Sequence, residues 1–463
     1  MDAGRIWVGG IDLFRSDDGG ANWGVGGNVY PFEGPSNIHP DQQAIVFHPQ
    51  YNGTSNQTLF VGNDGGIYKT ENARAAIPFS PPAACDAASV QVKWKSLNNN
   101  YAVTQFYHGT AHPDGKSYFG GTQDNGSLRG TDAAGVNGWR EILGADGAYN
   151  AIDHARPDTL YVSYQGGNIY KSTDSGATFS FARFGYNEGG SFINPFIIDP
   201  SDSARLYIGQ RFIWRTANGA ASWQQVTAQL SAAPLSAMAV APTDANHALV
   251  GFQDGQIIRT NRLLNLTPQS PLSTQTEVSA TPRGGYVSSL AYDPNNKNIA
   301  YATYATFGGA HVWRTIDGGV TWNSIDGAGD GRLPDIPVHT IAVDPANTSR
   351  FYVGADVGVF VSTNGGSSWA VENTGFANVI TENLEVRVIN GTTWLYAFTH
   401  GRGVFKVAAN MIGCNYAITP ATRSFSREGG DAVINVKAEP ASGCDWKAES
   451  NASWIQPAPV GSE

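Results

Sequence analysis

Arg314-Thr-Ile-Asp-Gly-Gly-Val-Thr-Trp322 is the stretch whose reading decides the fold. Asp317 is short enough to cap a turn by accepting backbone N–H groups a few residues on, and the glycines after it supply a positive φ. Thr315 adds a second local hydrogen bond, and Trp322 closes the turn against an apolar surface. The phrase returns at 172–179, 362–369 and 16–23, with a worn copy at 216–223. Five copies in one chain mean an internal repeat, each copy marking one supersecondary unit.

Working outward from each copy, the chain reads as an apolar strand ending in an Asp-Pro turn, a second strand often carrying Tyr, a Gly-rich loop and a third strand. Residues 290–294, 299–304 and 312–315 show the pattern, as do 341–345, 351–354 and 359–362. Nine such middle hairpins can be counted, and the copies recur every ~40–47 residues, the length of one four-stranded propeller blade. The repeat resembles the Asp-box (BNR) hairpin of β-propeller proteins of the sortilin and xyloglucanase-like kind. That resemblance implies an all-β fold, a propeller of seven or eight four-stranded blades with Asp-box hairpins. If the incomplete first and ninth units share one blade, eight result; if both belong to a neighbouring propeller, seven.

The propeller is expected over 1–407, with 1–23 in a shared or neighbouring blade. After Val407 the composition changes. Cys414-Asn-Tyr-Ala-Ile-Thr-Pro, Phe425-Ser-Arg-Glu-Gly-Gly and Cys444-Asp-Trp resemble the start of a BACON-type β-sandwich, which implies a partial module over 408–463. Cys414 and Cys444 could pair there, as suits a secreted protein. Two insertions, 24–41 (with Tyr30, Phe32, Glu33 and His39) and 71–93 (with Cys85), are too long for plain turns and are expected to form binding surfaces.

With 55 Gly, 12 Trp, 19 Tyr and 21 Phe among 463 residues and only 15% charged residues, the chain has the composition of a turn-rich all-β protein. A net charge of −10 without a basic stripe argues against nucleic acid as a partner. No apolar run approaches the roughly 18 residues that span a bilayer, so membrane insertion is not expected. No basic and apolar leader opens the chain, so a signal sequence, if the natural protein has one, would lie upstream; the expected location is secreted, periplasmic or at the cell surface.

In such propellers the box turns lie on one face, while the loops joining second to third strands and one blade to the next converge on the other. Those loops offer Asn63, Asp64, Gln123, Asp124, Asn125, Asp146, Tyr149, Gln165, Arg211, Gln253, Asp254, Asp356, His400 and Arg402. Amides and acids bond hydroxyls and aromatic faces stack on sugar rings, so the expected partner is a polysaccharide or glycan. Against this stands the plain reading that Asp-Gly and Asn-Gly pairs simply make tight turns.

Glycoside hydrolysis needs two carboxylates flanking the bond. The resemblance to xyloglucanase-type hydrolases implies one catalytic Asp in a loop like that of Asp64 or Asp356 and another in a loop like 144–149. Asp64, Asp124 and Asp146 are therefore the catalytic candidates, and the other eleven residues bind substrate. A sialidase would need an arginine triad, for which only Arg211, Arg283 and Arg402 are at hand. The rival class is a non-catalytic scaffold for a protein or glycan partner. No cofactor and no His-x-x-x-His zinc spacing are found; Asp-rich loops such as 17–20 offer oxygen donors of the kind structural calcium takes.

Overall fold

Four of the five repeated turns end the third strand of an antiparallel sheet and lead into a short fourth strand, and the copy at 16–23 joins the second and third strands of a three-stranded sheet. In the computed structural model, Val287–Asp293, Asn296–Tyr304, Val312–Thr315 and Asn323–Ser324 pair in chain order, and the opening nonapeptide closes the last connection. The structure describes residues 4–29, 34–80, 83–99, 103–188, 191–269, 281–372, 375–409, 415–420, 422–425, 429–439, 450 and 455.

The turn chemistry is made as its residues dictate. Thr315 Oγ1 donates to Asp317 Oδ1 at 2.7 Å and accepts the Gly319 N–H at 2.9 Å, while Asp317 takes the N–H and hydroxyl of Thr321 at 2.9 and 2.6 Å. Ser172, Asp174 and Thr178 repeat the pattern. Gly319 sits at φ +92, and a Cβ there would come within 2.9 Å of Leu249 on the preceding sheet. The aromatic residue ties sheet to sheet: Trp369 Nε1 donates to Ile325 O at 2.7 Å, and Trp223 Nε1 to Ala182 O at 2.8 Å.

Contacts divide the chain into two compact units, Met1–Ala102 with Gln123–Asp146, and Val103–Thr122 with Gly147–Glu463. The first contains the three-stranded sheet Ile6–Gly9, Leu13–Ser16, Gly24–Gly27 and the four-stranded sheet Gln42–Phe47, Leu59–Asn63, Gly66–Thr70, Lys95–Ser96. The hairpin Gly126–Thr131 with Arg140–Leu143 completes it. Parts of the long insertions turn inward. Val29, Ile38, Ile77, Val90 and Val92 are buried in one cluster with Leu59, Val61 and Trp94. A small pair of sheets has two apolar faces to cover, and these segments cover them. Tyr30, Phe32 and Glu33 lie outside the described residues, as does the Cys85 side chain.

In the second unit, sheets follow one another along the chain, and their first strands are Phe106–Ala111, Gly147–Ile152, Phe196–Asp199, Leu235–Ala241, Val287–Asp293, Val338–Val343 and Thr381–Ile389. Each packs on the next, and Thr381–Ile389 packs back on Phe106–Ala111, so the seven close a ring. Behind it, Tyr161, Tyr207, Tyr301, Tyr352 and Tyr396 occupy matching places on the second strands, all fully buried between sheets. Toward the C-terminus, Asn415–Thr419 pairs with Asn435–Glu439; Cys414 and Cys444 lie outside the described residues.

Candidate functional site

Three loops of the first unit bring together the carboxyl groups singled out from the sequence. Asp64 sits in the two-residue turn between Leu59–Asn63 and Gly66–Thr70, Asp124 in the turn before Gly126–Thr131, and Asp146 just after Arg140–Leu143. Asp124 holds φ +60, a left-handed conformation that a short polar side chain tolerates. Its N–H donates to Asp146 Oδ1 at 2.8 Å, and its carbonyl oxygen accepts from His39 Nε2 at 3.0 Å. Asn125 Nδ2 donates to Asp64 O at 3.1 Å, fixing one loop against the other.

Electrostatics separate the three. Burial pushes the Asp124 carboxyl up to about 6, the charges of Asp64 and Asp146 and a side-chain hydrogen bond with Asp146 push the same way, and His39 partly offsets them. Asp64 stays half-exposed, with Oδ1 accepting from Gln43 Nε2 at 3.3 Å. A carboxyl raised that far holds its proton into mildly acid solution.

Among the expected binders of this unit, Asn63 is buried and serves its own turn. Its Nδ2 donates to His39 O at 3.0 Å, and its Oδ1 accepts the Gly65 N–H at 3.1 Å. Gln123 offers its carbonyl oxygen to Asn125. The Asp17 carboxylate at the suggested calcium loop is bound by Arg5 and Arg15, and Asp18 bonds Ser16 and Asn22.

In the second unit, Asp356, His400 and Tyr149 come together around a residue the sequence reading passed over. Glu382, at the start of Thr381–Ile389, is pushed up by burial, a shift opposed by His339 and His400 and reinforced by Asp356. His339 Nε2 meets Asp356 Oδ1 at 2.7 Å and its Nδ1 lies 3.6 Å from Glu382 Oε2. Tyr149 stacks on His108 with ring centres 4.2 Å apart, and Tyr107 lies 5.8 Å from His400. Glu382 belongs to no Gly-rich turn and no repeat, so only its place at the head of a ring strand could have marked it.

Other expected binders are turn and rim residues. Gln165 O accepts from Asn168 Nδ2 at 2.8 Å. Asp254 is exposed and caps its own turn through the Gln256 N–H, beside an exposed Gln253. Arg211 and Arg402 are exposed, the former donating its N–H to buried Glu188 at 2.6 Å and the latter its Nη1 to Gly401 O. Arg283 spends its guanidinium on Gly284 O, Ala310 O and Phe307 O, so it is not open to a sialic-acid carboxylate.

The chain matches no established family profile and no curated protein sequence. Among solved structures it is similar to YCF48 from Cyanidioschyzon merolae, with TM-score 0.47 and 12% identity over 66% of this chain and 96% of that one. It is similar to an ancestral GH74 enzyme, with TM-score 0.37 and 14% identity over 78% of this chain and 58% of that one. A GH74 enzyme of Niastella koreensis aligns with TM-score 0.27 and 14% identity over 87% of this chain and 72% of that one. No helix of the described residues is long and apolar enough to cross a membrane.

Proposed function

We propose that this chain is a secreted β-propeller protein that hydrolyses a glycosidic bond of a polysaccharide or glycan with the carboxyl groups of its first unit. The ring of seven first strands is the inner circle of a seven-bladed propeller. The seven-bladed reading is supported by the packing of Thr381–Ile389 on Phe106–Ala111. Here the ninth hairpin belongs to the ring, while the sheets of residues 6–96 contribute no strand to it.

The observation that carries the catalytic reading is Asp124, a carboxyl raised to about 6 beside two further carboxyl groups. In this reading protonated Asp124 gives its proton to the glycosidic oxygen as the bond to the anomeric carbon breaks. Either a water attacks that carbon and passes its proton to the Asp64 carboxylate, or the Asp64 carboxylate attacks it to form a glycosyl ester, which a water then hydrolyses while passing its proton to the Asp124 carboxylate, so that both groups are restored. Asp146 positions Asp124 through the 2.8 Å bond to its N–H. No metal is required in this scheme.

A hydrolysis and binding screen over plant and microbial polysaccharides tests it. Turnover of at least one glycan that Asp124→Asn reduces about 10³-fold supports the proposal. Binding without turnover favours the scaffold reading, and neither binding nor turnover rejects a carbohydrate role.

A further inference from the structure

Inside the ring of the second unit lies a cavity of about 270 Å³ whose walls come from four adjacent first strands. Four buried polar atoms without a protein partner line this one space: His108 Nδ1, Asn150 Oδ1, Asn383 Oδ1 and Arg387 Nε. Buried polar atoms are rarely left unpaired, and each unmet one carries its full desolvation cost. Asn150 is only 3% exposed, and its Nδ2 donates to Ala148 O at 3.1 Å, so the amide is held with its oxygen free for a guest.

The chemistry of the lining defines the guest. Two amide oxygens call for donors, the Arg387 Nε–H calls for an acceptor, and the imidazole takes either role. Charge is already balanced inside: Arg387 Nη2 pairs with Glu385 Oε1 at 2.5 Å, and Glu385 Oε2 accepts the Ala111 N–H at 2.7 Å. Burial holds the His108 ring down to about 4, so it adds no charge at neutral pH. Ile152, Phe196 and Ile198 supply apolar wall between the polar points. A hydroxyl both donates and accepts, and a ring bearing several hydroxyls also presents C–H faces.

We propose that this cavity is a binding pocket for one small, neutral, polyhydroxylated molecule, of the chemical class of a free monosaccharide. The pocket lies in the second unit and shares no residue with Asp64, Asp124 or Asp146, so the proposal stands or falls separately from the hydrolytic one.

The test uses the full chain with glucose, xylose, galactose and myo-inositol as probes, read by saturation-transfer NMR and calorimetry. At least one probe binds saturably. Asn383→Leu, which keeps volume and removes one acceptor, weakens it about tenfold. Ile198→Trp, which fills the space, abolishes it, while Asp124→Asn leaves it unchanged. If Ile198→Trp does not fold, Asn383→Leu with Asn150→Leu decides. Overturning results are no saturable binding by any probe with Asn383→Leu raising the melting temperature, the outcome for a cavity holding only water, or binding that ignores both Asn383→Leu and Ile198→Trp.

Discussion

Asp174 and Asp124 are both aspartates in Gly-containing turns, and their surroundings drive them in opposite directions. Hydrogen bonds from the Thr178 and Ser172 hydroxyls and from nearby backbone N–H groups hold Asp174 down to about 2. At Asp317 slight burial works the other way, but the bonds from Thr321 and Thr315 still bring it to about 2. Asp124 instead is half-buried, faces two carboxyl groups, and rises to about 6. A carboxylate surrounded by donors is a structural cap, whereas one surrounded by carboxyl groups is suited to moving protons.

The comparison can be broken most sharply by deleting each kind of aspartate. Asp124→Asn is expected to lower turnover about 10³-fold with the melting temperature nearly unchanged, since the amide keeps the turn. A steady-state assay and a melt together check this; unfolding of the variant would make Asp124 a turn former like Asp174. On the structural side, Trp369→Ala removes a buried ring and its bond to Ile325 O, and should cost about 3–5 kcal/mol in a denaturant titration. Asp317→Ala should lower the melting temperature by only a few degrees and leave turnover untouched.

Acidity separates the two kinds again. Asp124, raised above the usual 3.8, favours folding when protonated, so its contribution is complete below about 4 and is lost as pH rises through about 6. Asp317, lowered to about 2, contributes above about 4 and loses that contribution as pH falls through about 2. Melts of wild type and of Asp124→Asn should therefore draw together as pH falls from about 7 to about 5, whereas the deficit of Asp317→Ala should shrink only as pH falls below about 4. Turnover should decline above about pH 6 as Asp124 loses its proton.

How much was legible in the sequence follows the same division. The repeated turns were, because each is a local device in which Thr315, Asp317 and Gly319 act within five residues. The loops of Asp64, Asp124 and Asp146 could be listed, but not their meeting, which depends on contacts made across 61 positions by Asn125 and 85 by His39. Glu382 and the unpaired amide oxygens of Asn150 and Asn383 were invisible, since nothing in a chain's local pattern says that a strand will face the inside of a ring. The inward-turned parts of the insertions escaped for a related reason: Ile77 and Val92 are irregularly spaced, so their burial could not be read from periodicity.

The carboxyl carbon of Asp124 is the most direct witness. Carbon-13 NMR of aspartate-labelled protein should show it titrating near 6, with its midpoint falling when Asp64→Asn removes the neighbouring charge. A midpoint near 4 that ignores Asp64→Asn would place Asp124 with the turn aspartates and contradict the proposed catalytic role.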